Sequence, residues 1–200
     1  MQIGAVILAA GKSERMGKPK ILMPVEDKPM FLHSVEMAIQ SNLSPIYVVG
    51  GEHINRIQNA TCGYPVLTID NKDYKEGMST SLKLGIAAIK NQCDAVMVFL
   101  ADQPFIAKIV IEKMTKYYES NHRNGVKILR AKYKNIPGHP ILFDSSLFDE
   151  FDTIQGDIGG KSIIQRHINS LHWIPFENDV WGIDIDTMED YLRVTNRLST

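Results

Sequence analysis

The stretch LAAGKSERMGKPKILMP, Leu8 to Pro24, begins where an apolar run, Ile3 to Leu8, ends. That run is rich in β-branched residues and short enough to be one buried strand. Ala9, Ala10 and Gly11 then leave almost no side-chain bulk, so the backbone can approach a ligand closely and aim its N–H groups at it. Lys12, Arg15, Lys18 and Lys20 follow within nine residues. A strand that enters a small-residue turn and then a set of cations suits a bound polyphosphate: backbone donors surround the oxygens, and Arg and Lys neutralise them. The competing reading is an ordinary βα turn with a solvated basic rim.

Two other phosphate-binding patterns are excluded. A P-loop needs G-x-x-x-x-G-K-[ST]; Gly11-Lys12-Ser13 supplies its end, but the position five before Gly11 is Val6. Gly160-Lys161-Ser162 fails in the same way, with Gln155 at the required place. The dinucleotide fingerprint G-x-G-x-x-G is also missing after the first strand.

Working outward, the chain alternates strand-like and helix-like segments. Pro29 to Asn42 carries Leu32, Val35, Ala38 and Ile39 at helical spacing. Pro45 to Gly51, Val66 to Ile69, Ala95 to Leu100, Gly125 to Ala131 and Leu171 to Phe176 read as strands. Glu52 to Asn59, Lys108 to Asn121 and Ser162 to His167 read as helices. Met78, Leu82, Ile86 and Ile89 open another amphipathic helix after Gly77; Ser79, Thr80 and Ser81 in its first turn are either caps or ligand contacts. Asn135 to Phe143 contains two X-Pro pairs and reads as a fixed, extended loop around His139. Gly182 to Thr187 reads as a last strand on which Asp184 and Asp186 share one face, with Thr187 capping a final helix, Met188 to Leu198. The alternation predicts one α/β domain over 1–200, three-layered, with a mostly parallel sheet.

Ala95 to Leu100 is the most hydrophobic strand and should lie centrally. It ends in Ala101-Asp102-Gln103-Pro104. An acidic residue at the carboxyl end of a central strand sits where open α/β sheets bind ligands, well placed to hold Mg²⁺ beside phosphate oxygens. The other reading of Asp102 is the first residue of a turn before proline.

Composition narrows the partners. With 44% hydrophobic residues the chain can bury a substantial core, and its net charge of −1 offers no footprint for nucleic acid or an anionic membrane. Cys62 and Cys93 have neither CxxC nor zinc spacing, which suits a reducing compartment. No apolar run reaches the roughly 18 residues of a membrane span. A soluble cytoplasmic protein is expected.

Three separated stretches carry a family resemblance. Leu8 to Gly17 with Pro19-Lys20, then Leu100-Ala-Asp-Gln-Pro104, then Asp184-Ile-Asp-Thr-Met-Glu-Asp190 resemble the nucleotidyltransferases of the MobA-like group, and within it the molybdenum cofactor cytidylyltransferases. Gly77 to Leu82, Gly138-His139-Pro140 and Asp157-Ile-Gly-Gly fit the same subgroup. The resemblance implies a Rossmann-like nucleotidyltransferase fold, Mg²⁺ dependence, and transfer of CMP from CTP to molybdopterin cofactor with release of pyrophosphate. It implies that Leu8, Ala9, Ala10, Gly11 and Lys12 contact nucleotide, and that Arg15 and Lys20 hold the triphosphate. Asp102 would bind the metal with a late carboxylate, Asp184 in preference to Asp186. Ser81, His139 and Asp157 would contact base or acceptor, and a recipient molybdoenzyme or its maturation factor is an implied partner. Guanylyl-transferring relatives show Leu-Ala-Gly-Gly where this chain has Leu8-Ala9-Ala10-Gly11, which favours cytosine. The alternatives are guanylyl transfer to the same cofactor, transfer to a sugar or polyol phosphate, and a non-catalytic cofactor carrier.

Overall fold

The apolar run at the amino end becomes β1 (Ile3–Ala9), and every residue of it is buried between two helical layers. In this computed structural model, residues 1–198 are described except Lys12, Glu14 and Arg15, and of residues 196–198 the backbone alone. In chain order there follow a short hairpin of β2 (Pro24–Val25) and β3 (Lys28–Pro29), then α1 (Met30–Gln40), β4 (Ile46–Gly50), α2 (Ile54–Ala60) and β5 (Leu67–Asp70). Next come α3 (Met78–Ile89), β6 (Ala95–Leu100), α4 (Lys108–Asn121), β7 (Ile128–Tyr133) and β8 (Ile136–Asp144). The chain closes with α5 (Lys161–Arg166), β9 (Leu171–Phe176) and α6 (Met188–Leu198).

Among the described residues the main sheet has seven strands in the order β5-β4-β1-β6-β8-β7-β9. All its neighbouring pairs are parallel except the two that β8 makes, with β6 and with β7. Alternate residues of each strand face opposite layers, as the pleat requires. Ala5 and Ile7 of β1 and Met97 and Phe99 of β6 pack with Phe31, Val35, Val110 and Met114 of α1 and α4. Val6 and Leu8 of β1 and Val96 and Val98 of β6 pack with Leu82, Ile86 and Ile163 of α3 and α5. The result is the expected three-layer, mostly parallel α/β architecture.

Two local expectations are corrected. Residues 136–144 are a strand and not a loop: the extended backbone that the prolines impose is compatible with β pairing. The ladder from β8 to β6 runs only from Asp144 to Ile141, so Pro137 and Pro140, which lack the N–H a central strand needs, lie beyond it. Residues 183–186 are not a strand, because both edges of β6 are already occupied by β1 and β8. They run as an extended segment attached by one bond, Ile185 N–H donating to the Asp102 carbonyl at 3.0 Å.

That segment is held by a small apolar cluster of its own. Ile185, fully buried, packs with Val25, Met30 and Val194, and with the partly buried Ile183 and Tyr191. Tyr191 also donates its hydroxyl to the Pro24 carbonyl at 2.5 Å. Thr187 caps α6 as expected, accepting from Asp190 N–H at 3.1 Å while Asp190 accepts from Thr187 N–H at 3.0 Å, a reciprocal capping box. No helix among the described residues is long and apolar enough to cross a membrane.

Candidate active site

The carboxyl ends of the adjacent parallel strands β1 and β6 open on one side into a cavity of about 370 Å³. Leu8, Ala10 and Gly11 line it from the loop after β1, Leu100 and Asp102 from the end of β6, and Tyr74, Gly77, Met78 and Ser81 from the start of α3 and the turn before it. Ser13, Lys20, Asp157 and Asp186 complete the wall. Cavities at the carboxyl edge of a parallel sheet are where this architecture binds ligands, because loops diverge there.

Lys20 is the electrostatic centre of the wall. Its Nζ donates to Asp102 Oδ2 and to Asp186 Oδ1, each at 2.7 Å, and its N–H donates to Ser13 Oγ at 3.1 Å. Burial opposes the ammonium charge, but the two carboxylates outweigh it and hold the Lys20 pKa above its ordinary value. Asp102 Oδ1 is buried and, among the described residues, has no hydrogen-bond partner. A buried carboxylate oxygen left this way retains lone pairs for a cation.

Asp184 sits apart. It accepts from Gln103 Nε2 at 2.6 Å and does not line the cavity. Burial raises its pKa, the Gln103 bond opposes that, and the nearby charges of Asp102 and Asp186 add to it. The preference for Asp184 over Asp186 drawn from sequence is therefore not matched by the geometry, since Asp186 shares Lys20 with Asp102. Ile185 anchors the segment by entering the apolar cluster under the β2/β3 hairpin, and of its two neighbours Asp186 reaches the cavity while Gln103 holds Asp184 off it. Among the described residues no three carboxylates, imidazoles or thiolates converge as a ready metal-ligand set.

The start of α3 is organised from a distance. Gly77 has a φ of +111°, and a Cβ there would come within 2.5 Å of the Gly156 backbone, so only glycine fits. No hydroxyl of Ser79, Thr80 or Ser81 caps the helix; Asp157 Oδ1 does, accepting from Met78 N–H at 3.1 Å. Thr80 and Ser81 instead accept from Asn71 Nδ2 at 2.9 and 2.8 Å, which fixes Ser81 at the cavity wall. Asp157 thus joins the capping of α3 to the cavity.

The structure brings Leu8, Ala10, Gly11, Lys20, Ser81, Asp102, Asp157 and Asp186 together around one space. Ala9 is buried behind it in the sheet core. Lys12 and Arg15 lie outside the described residues. His139 does not line the cavity; it sits on β8, where its carbonyl accepts from the Tyr133 hydroxyl at 2.7 Å. Sequence reasoning missed Tyr74, Met78 and Ser13 as wall residues and Gln103 as the partner of Asp184. The available signals were the place of Gln103 beside Asp102 and those of Ser13 and Met78 within the Leu8 to Gly17 and Gly77 to Leu82 stretches; Tyr74 carried none.

Gly11 provides a test. An added Cβ there would meet nothing within 4 Å, so the fold does not require the glycine. Gly11→Ala is expected to change stability by less than about 0.5 kcal/mol while raising the nucleotide KM, measured by thermal unfolding alongside steady-state kinetics. A stability loss in place of the KM change would assign Gly11 to the fold.

His139 provides another. Burial, and then the charge of Arg130, pushes its pKa down to about 3. The unfolded chain therefore binds a proton that the folded one does not, so stability is complete above the ordinary histidine pKa and declines as pH falls below it. Between pH 6.5 and 5 the loss from this group is expected to be roughly 2 kcal/mol. Urea unfolding at pH 7 and pH 5 should show that slope in the wild type and a shallower one in His139→Gln.

A family model described as the MobA-like NTP transferase domain matches residues 5–171. The molybdenum cofactor cytidylyltransferase of Escherichia coli K12 is 29% identical over 197 residues, covering 98% of this chain and 96% of its own length. The purine catabolism protein PucB of Bacillus subtilis 168 is 23% identical over 209 residues, with 97% and 96% covered. Among solved structures, Rv0371c of Mycobacterium tuberculosis H37Rv has a TM-score of 0.83 at 24% identity, covering 98% of each chain. Its complex with manganese has a TM-score of 0.80 at 22% identity, covering 98% of this chain and 99% of that one. The likeness to these structures is one of fold.

Proposed function

Because the chain belongs to the MobA-like NTP transferase family and is thus a nucleotidyltransferase, we propose that it transfers CMP from CTP to a molybdopterin-type cofactor and releases pyrophosphate. The observation that carries this reading is the cavity between the Ala10-Gly11 turn and the pair Asp102 and Asp186, with Lys20 Nζ 2.7 Å from both carboxylates. The turn offers backbone donors for phosphate oxygens, and the strand end offers carboxylates for the cation that a triphosphate carries. The cytidylyltransferase relative, which covers 98% of this chain, supports the choice of base and acceptor.

The residues fit a divalent cation. Asp102, whose buried Oδ1 has no partner among the described residues, and Asp186 would hold it, a set of carboxylates completed by phosphate oxygens in the way Mg²⁺ prefers. When bound, such an ion supplies positive charge to the α-phosphate and to the leaving pyrophosphate. The manganese complex of the mycobacterial relative supports a divalent ion at a fold of this kind.

The chain's own residues do the rest. Leu8, Ala10 and Gly11 present small surface and main chain to the nucleotide, and Ser81 is held by Asn71 at the wall where a base can reach it. Lys20 stabilises charge that develops on the phosphates, joined by Arg15. A terminal phosphate of the acceptor attacks the α-phosphorus in line with pyrophosphate. The phosphate is ionised near neutral pH, so no protein nucleophile or strong base is needed. Asp184 is held off the cavity by Gln103, and the Ile185 anchor positions the late segment that carries Asp186.

Pyrophosphate release from the purified protein with molybdopterin, Mg²⁺ or Mn²⁺, and CTP, GTP, ATP or UTP in turn tests the proposal. CTP is expected to be used best. Equal or better use of GTP would overturn the cytidylyl assignment, and release only with a sugar or polyol phosphate would overturn the acceptor.

A further inference from the structure

On the same face of the sheet as the nucleotide cavity, β7 and β9 carry a cationic and aromatic surface outside the cavity wall. Trp173 on β9 is opposite Arg130 on β7, and the Arg130 guanidinium carbon lies 5.8 Å from the centre of the indole. Lys132 Nζ lies 6.0 Å from the same ring. β9 is the edge of the sheet, so no strand approaches the indole from its other side, and Trp173 remains 41% exposed.

The charge of Arg130 is unbalanced. It is half-buried and donates Nε–H to the Gly138 carbonyl at 3.1 Å, but among the described residues no carboxylate pairs with it. Its pKa is lowered, with burial as the cause and no anion opposing it. Among the described residues the Lys132 side chain likewise has only its aromatic contact. A guanidinium removed from water without a counter-charge is costly, and its fork of donors suits a carboxylate or phosphate.

Register places this surface next to the chemistry. Arg130 pairs with Ile141, and Ile141 pairs with Val98 of β6, so all three share a level and a face. That face also carries Leu8 and Leu100, which line the nucleotide cavity. Lys132 lies two residues further toward the end of β6 from which Asp102 follows. β7 is two strand spacings from β6, about 10 Å, the span of a bicyclic heteroaromatic ring bearing a phosphate arm.

We propose that Arg130, Lys132 and Trp173 form the acceptor subsite, taking a planar, anionic heteroaromatic ring system whose phosphate arm reaches toward Asp102. This rests on the reading of a pterin-type acceptor given above. The open side of the indole stacks on the ring, and the two cations neutralise the anionic groups beside it.

The chain has two tryptophans, so Trp181→Phe leaves Trp173 as the sole indole reporter. Titration of that protein with pterin-6-carboxylate is expected to quench its fluorescence saturably, while glucose 1-phosphate, an anion without an aromatic ring, does not. Arg130→Met and Lys132→Met should each raise the pterin Kd at least about tenfold, the loss of one charge-assisted contact. In turnover the same variants should raise the acceptor KM by a similar factor with the CTP KM unchanged. Absent quenching, equal Kd in the variants, or parallel changes in both KM values would overturn the subsite. Should Arg130→Met fail to fold, Lys132→Met, which removes a half-buried side chain whose contact is with the Trp173 ring, decides alone. If the wild type turns over a sugar phosphate and not molybdopterin, the proposed function falls, and the pterin titration still decides the surface.

Discussion

Asp102→Ala is expected to lower kcat for nucleotidyl transfer by about 10³-fold while leaving the sheet intact. The side chain is where the site's charges meet: Oδ2 accepts from Lys20 at 2.7 Å, and Oδ1 is buried with no partner among the described residues. The structural bond at this position belongs to the main chain, whose carbonyl accepts from Ile185 N–H, and alanine keeps it. Lys20 also keeps Asp186 as a partner, so its charge is not stranded. Single-turnover pyrophosphate release at saturating nucleotide and metal, with a thermal melt of the same preparation, separates the two effects. Wild-type release would remove Asp102 from the mechanism.

Lys20→Met should cost both activity and stability. Loss of a charge-assisted contact to the triphosphate is expected to lower kcat/KM for the nucleotide by between ten- and a hundredfold, or about 1.5 to 3 kcal/mol. The stability loss is expected to be about 2 kcal/mol, mostly from the Asp102 contact, because the Asp186 side chain is 46% exposed and solvent screens its share. In the variant, Asp184 loses the Lys20 charge that opposes the rise of its pKa by burial and by the charges of Asp102 and Asp186, so the folded state binds its proton more tightly than the unfolded chain. The deficit should be full near pH 8 and shrink as pH falls through the carboxylate range, the sign that follows when folding raises a carboxyl pKa. Millimolar Mg²⁺ should restore part of the Tm at pH 8, and do so more than in the wild type. Equal melting temperatures for the two proteins at pH 8 would remove Lys20 from the structural ledger of the site.

The comparison of the two residues shows why the site was only partly legible before the fold was known. Asp102 announces itself by position, directly after the most apolar strand. Lys20 is one of four cations in nine residues, and nothing local distinguishes it from Lys18; what does so is the 2.7 Å approach to two carboxylates that come from 82 and 166 residues away. The Asp184 and Asp186 pair is a sharper case. Alternation with isoleucines placed both on one face of an assumed strand, and a real strand would have kept them equivalent. The segment has no free strand edge to pair with, so the burial of Ile185 decides its rotation, and the two carboxylates end in different environments.

Similar limits apply elsewhere. The hydroxyls after Gly77 have the composition of a cap, yet Asp157 supplies it from 79 residues away. The prolines around His139 correctly signalled extended backbone, and only the neighbouring strands could turn that backbone into β8.

Local pattern was sufficient for most of the helices and parallel strands, their alternation, the three layers, the small-residue turn and the Thr187 capping box. These depend on side-chain periodicity and on contacts between near neighbours in the chain. Tertiary structure alone decided which carboxylate faces Lys20, what caps α3, that His139 stays off the cavity wall, and that Arg130 meets Trp173. Each of those is set by strand register or by the burial of an apolar neighbour, interactions between segments far apart in the sequence whose relative placement no local spacing encodes.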